Sequence, residues 1–116
     1  MFKKKQQAES KKGSIYITIN EGLYKTKSND IVRLTNIEAY FDTTNGLDIK
    51  SIISSDMMRS VLIQRCYDFT LNEIIDSKER FVTVICDELN TLVRPSGINC
   101  IGFAVEQISK VDTSVR

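Results

Sequence analysis

Residues 69–97 read FTLNEIIDSKERFVTVICDELNTLVRPSG, and this stretch decides the fold. Thr70 offers a hydroxyl, and Glu73, three residues on, a carboxylate. At that spacing each can satisfy a backbone N–H that the first helical turn leaves unbonded. The pair predicts a short helix from Thr70 to about Ser77, with Leu71, Ile74 and Ile75 facing in. Phe81, Val84, Ile85, Leu89 (with Leu92) and Val93 then recur at helical spacing, a wide apolar stripe over residues 78–94. Asp87, Glu88 and Asn90 face out. Pro95-Ser96-Gly97 stops the helix, with Pro past its end as expected.

Upstream, residues 47–68 carry Ile49, Ile52, Ile53, Met57, Val61, Leu62, Arg65 and Cys66 at three-to-four spacing. Ser54-Ser55-Asp56 offers a cap where a second, stronger helix could begin. Strands flank the helical block. Residues 14–19, SIYITI, alternate strictly and read as a half-buried strand. Asn20-Glu21-Gly22 predicts a break, residues 23–26 a short edge strand, and Lys27-Ser28-Asn29-Asp30 a turn. Residues 31–42, IVRLTNIEAYFD, read as a second strand with neither face purely apolar. A β-bulge near Asn36 would reconcile that pattern. Thr43-Thr44-Asn45-Gly46 ends the strand. Residues 98–108, INCIGFAVEQI, form a last strand, with Ile101, Phe103 and Val105 on one face and Gly102 admitting a close neighbour.

Strands segregated from a central helical block define an α+β fold: a small antiparallel or mixed sheet packed against about three helices. One domain over residues 14–109 is expected. Residues 1–13, MFKKKQQAESKKG, read as a disordered basic arm and residues 110–116 as a flexible end.

The chain contains no histidine, so a Ser–His or Cys–His nucleophile pair is impossible within it. Glu38, Asp42 and Asp48 could suggest a carboxylate site, but no burial or partner is evident to separate their pKa values. The reading is of a non-enzyme with no cofactor and no metal. Cys66, Cys86 and Cys100 are spaced by 20 and 14 residues, which fits no metal motif and no C-x-x-C pair. They read as three buried thiols of a reducing compartment; the alternative is a reactive Cys100 beside the Gly97 turn.

The net charge of +1 is uneven. Lys3, Lys4, Lys5, Lys11 and Lys12 against Glu9 give residues 1–12 a charge of +4, leaving 11 basic against 14 acidic groups. A near-neutral body with a basic tail is a poor groove binder for nucleic acid, while the five lysines suit an anionic lipid surface. No run is long and apolar enough to span a membrane, and no apolar segment follows the lysines as in a signal peptide. A cytoplasmic protein, peripheral at a membrane at most, is expected.

Several runs resemble the stomatin, prohibitin and flotillin family, the SPFH or band 7 domain. Ser55, Met58, Arg59, Ser60, Val61 and Leu62 resemble the start of a family helix. Phe69-Thr70-Leu71-Asn72-Glu73-Ile74-Ile75 and Ser77-Lys78-Glu79-Arg80 resemble its T-L-x-E-[IL]-[IL]-x-x-[RK]-E pattern. Leu89, the Pro95-Ser96-Gly97-Ile98 break and Phe103-Ala104-Val105-Glu106-Gln107-Ile108 resemble its turn and last strand. Asn29-Asp30-Ile31-Val32 and Glu38-Ala39-Tyr40 resemble its D-x-V…V-x-Y strand. The likeness covers about residues 27–109. Arg94-Pro95-Ser96 departs from the family, which has an aromatic before the glycine. The resemblance implies a scaffold that self-assembles into large rings near membranes. The membrane anchor, further β-rich subdomain and coiled-coil tail of the family are not found, so an excised fragment or a minimal relative is expected.

The function expected is therefore scaffolding through protein–protein contacts, as a homo-oligomer. Candidate contacts are the strand residues Ile15, Ile17 and Ile19, Met58 (of a Met57-Met58 pair that otherwise reads as core), and the helical group Glu73, Glu79 and Arg80. Lys3, Lys4, Lys5, Lys11 and Lys12 are candidate lipid contacts. The alternatives are a soluble adaptor for one partner and, least favoured, a nucleic-acid binder using the basic arm.

Overall fold

Alternating β-branched and aromatic residues draw β1, Ile15–Lys25, and β2, Ile31–Thr43, into an antiparallel hairpin. The structure is a computed structural model that describes residues 15–43 and 53–111. The expected break at Asn20-Glu21-Gly22 does not occur: Glu21 pairs with Thr35 and Gly22 with Leu34, so β1 runs on as one strand. The turn closes with Thr26 N–H donating to the Asp30 carbonyl (2.9 Å) and Asn29 in left-handed backbone at φ 68°. Ile49, Ile52 and Asp48 lie outside the described residues, as do the arm, Thr44-Asn45-Gly46 and residues 112–116.

Three helices follow. α1, Ser55–Cys66, is capped by Ser54, whose hydroxyl accepts the Met57 N–H. α2, Leu71–Asp76, has the reciprocal capping box: Thr70 accepts from Glu73 N–H, and Glu73 accepts from Thr70 N–H. α3, Lys78–Val93, ends in a 3₁₀ turn, Arg94–Ser96, and Gly97 at φ 82°. The left-handed glycine reverses the chain into β3, Ile98–Val111, which pairs antiparallel with β2. The sheet order is β1-β2-β3, fully antiparallel. α3 packs chiefly on β3, and α1 on β1. Ile19, Val32, Leu34, Ile37 and Phe41 meet Leu62, Ile74, Phe81, Ile85 and Leu89 in one core.

The mixed faces of β2 have a different cause from the one its sequence suggests. Val32 and Leu34 point inward, and beyond Asn36 the inward set becomes Ile37, Ala39 and Phe41. The register is the same on both sides of Asn36, so no residue is inserted there. Instead Asn36 takes φ 53°, a conformation that asparagine tolerates and β-branched residues do not. Asn20 and Glu106 occupy the neighbouring register positions, and both strands change phase there too: Ile19 then Tyr24 in β1, Val105 then Ile108 in β3. Asn36 Nδ2 donates to the Glu106 carboxylate across this line.

Among the described residues, a register shift lies between Tyr40 and Phe41, where Ile101 is the extra residue of β3. It turns Ile101 outward, away from the buried Phe103 and Val105 with which its spacing had grouped it. Gly102 lies against the Tyr40 ring, which a Cβ would approach to 3.4 Å. Ile75 and Leu92, expected inside, are exposed. α2 has under two turns to offer the core and spends its inward positions on Leu71 and Ile74.

Candidate interaction surfaces

The sheet order leaves β1 and β3 as outer strands, each with one row of backbone N–H and C=O groups unmatched by a neighbouring strand among the described residues. β1 is the more apolar in outline: Tyr16 is 50% and Leu23 54% exposed. Tyr16 stacks obliquely on Tyr40 at 5.7 Å, on the sheet face turned from the helices. Tyr40 donates to the Glu38 carboxylate, and burial together with that bond pushes its phenol up to about 12. Arg33 and Glu21 pair at 3.1 Å between the strands.

The candidate contact residues differ in exposure. Ile19 and Met58 are core residues, Met58 only 1% exposed, so neither presents a side chain to a partner in this fold. Ile17 is half-buried against the core, and the Ile15 side chain lies outside the described residues. Glu73, Glu79 and Arg80 are exposed. Glu73 is committed to the helix cap: the Thr70 N–H, helped by Lys27 and Arg80, holds its carboxyl below the ordinary range. The Arg80 guanidinium lies over the Phe69 ring at 5.5 Å, and Phe69 meets Phe81 edge-on. The lysines of the arm are outside the described residues.

Three features were not read from the sequence. Leu23 is a surface residue because β1 runs on past Asn20 and changes phase there, whereas Tyr16 follows from the alternation of residues 14–19 and was not singled out. At the end of α1, Ile63 and the C-cap residue Tyr67 are exposed one turn apart, a pair at i and i+4 that the helical spacing does signal. The third is a hydroxyl network at the hairpin turn. Ser28 Oγ donates to Asp30 Oδ2 (2.7 Å), and it accepts the Leu71 N–H (3.2 Å) and the Thr26 hydroxyl (3.1 Å). With Lys27 N–H donating to the Phe69 carbonyl (2.8 Å), it docks the hairpin on the start of α2. Ser28→Ala is expected to cost about 1–2 kcal/mol, because it strands the Leu71 N–H in a part-buried site; thermal unfolding reads this as a lowered Tm.

Burial pushes the Cys66 thiol up to about 12. The folded chain keeps this thiol neutral at pH values where the unfolded chain ionises it near 9. Stability is therefore whole below about pH 9 and falls as pH rises toward 12. Urea midpoints across that window should decline, and Cys66→Ala should flatten the decline. Cys100 is pushed in the same direction by burial and by Cys86, and so leaves a residual slope.

Among the described residues no group of three His, Cys, Asp or Glu side chains could hold a metal ion. Among them, too, no helix is long and apolar enough to cross a membrane. No protein-family model matches the chain, and no curated protein matches its sequence.

Proposed function

We propose that this chain is a non-catalytic scaffold domain of the stomatin–prohibitin–flotillin type, which works by assembling with copies of itself. The observation that carries the reading is the outer edge of β1, eleven residues long, unpaired by any strand among the described residues and carrying the exposed Tyr16 and Leu23. Such an edge is a template for another strand, and a chain that keeps it apolar is built to cover it. The family likeness adds support through its position: the T-L-N-E run makes the α2 cap, and Gly97 makes the reversal into the last strand. Cytoplasmic residence and a peripheral seat at anionic membranes, through the lysines of residues 1–12, belong to the same proposal.

Light scattering at micromolar concentration tests it. The expected mass is a multiple of 13.2 kDa, falling to that of one chain in Leu23→Lys, which places a charge at the edge without touching the core. A parent protein that scatters as a monomer would reject self-assembly. Sedimentation with anionic vesicles, weakened by salt, is the expected result for the basic arm; protein left in the supernatant would remove the membrane from the proposal.

A further inference from the structure

Cys86 on α3 and Cys100 on β3 face each other with their sulfurs 3.6 Å apart. They are 14 residues apart in sequence, and the reversal at Gly97 brings them together. The approach is fixed independently of the sulfurs: one turn beyond Cys86, Asn90 Oδ1 accepts the Cys100 N–H at 2.9 Å, tying that point of β3 to the same helix. A disulfide needs about 2 Å between its sulfurs, a closure that side-chain rotation can supply where two elements are already pinned. Cys86 is half-buried, which admits a small reagent, whereas Cys100 is buried behind it and Cys66 sits fully inside the core on α1.

We infer that Cys86 and Cys100 are a reversible oxidation site, closed to an intramolecular disulfide by a low-molecular-weight disulfide. The Cys86 thiolate attacks one sulfur of that reagent and expels the other half as a thiolate. Cys100, losing its proton, then attacks Cys86 Sγ in the mixed disulfide and expels the second half. Two protein thiols are oxidised and one small disulfide is reduced to two thiols, which take up the two protons. Burial and the neighbouring Cys86 push the Cys100 thiol up to about 12, so the second step should quicken as pH rises. The bond would join α3 to β3 around the Gly97 reversal and leave Cys66 as a free thiol.

The folded protein, incubated with oxidised glutathione and then denatured and alkylated, tests this. Three alkylated cysteines before treatment should become one, at Cys66. The tryptic peptide of residues 81–110, intact because the Arg94–Pro95 bond resists cleavage, should lose two hydrogen atoms. Tm should rise by about 10 °C and return on reduction. Cys86→Ser should stay unmodified, and Cys100→Ser should stop at the mixed disulfide on Cys86. Three alkylations after treatment, a mixed disulfide that persists in the parent, or disulfide-linked pairs of chains would each overturn the inference.

Discussion

Phe81→Ala should lower the urea midpoint by about 2 M, the equivalent of about 3–5 kcal/mol. Phe81 is wholly buried on the inward face of α3 and takes the Phe69 ring edge-on. Removing it forfeits the transfer of a full aromatic side chain from water and leaves a cavity in the core. It also unseats Phe69, and with it the ring on which the Arg80 guanidinium lies. A small domain holds about 5–15 kcal/mol in total, so this one change takes a large share of its stability. A loss below about 1 kcal/mol would mean that α3 does not pack on the sheet as described.

Met58→Lys should be more damaging, at about 4 kcal/mol or more, and in a diagnostic way. Met58 lies on the inner side of α1 at 1% exposure. A lysine there must either bury an unpaired ammonium, give up its proton, or pull the helix from the sheet. The expected result is loss of folded circular dichroism at the temperature where the parent is stable. Were Met58 a surface contact, the same variant would keep its fold and change only its state of assembly. The two outcomes divide a core methionine from an interface methionine without ambiguity.

The local signals of the chain proved readable where one element carries its own explanation. Thr70 with Glu73, Ser54 before α1, and Gly97 after α3 each solve the problem of unbonded groups at a helix end, and each does so within three or four residues. The α+β class follows from their order between strands. What sequence spacing did not supply depends on partners from elsewhere in the chain. Ile101 turns outward because β2 holds β3 in a shifted register, and no property of INCIGF marks that extra residue. The phase change at Asn36 was visible, but its mechanism was not: a left-handed residue and an inserted residue leave the same trace in an alternation. The break at Asn20-Glu21-Gly22 failed because β2 supplies partners for the residues on either side of Asn20. Cys86 and Cys100 looked unrelated at a spacing of 14, since their approach is set by the reversal between α3 and β3.

The candidate surface was legible to a smaller degree. The apolar alternation of β1 singled out a strand that lies at an outer position of the sheet, but Ile17 and Ile19, the side chains it named, face the core. An inward isoleucine such as Ile19 advertises the core, whereas the edge is advertised by what alternates with it, Tyr16, and beyond the phase change by Leu23. Self-assembly through this strand should tolerate substitutions on α3 and fail on those at β1, a pattern that a helix-mediated assembly would reverse.

The most direct measurement is amide hydrogen exchange across residues 15–25 at low and at high protein concentration. The account predicts that protection of the outward-facing β1 amides rises with concentration in the parent and not in Leu23→Lys. Exchange of β1 that is indifferent to concentration, while α1 or α3 becomes protected instead, would contradict it.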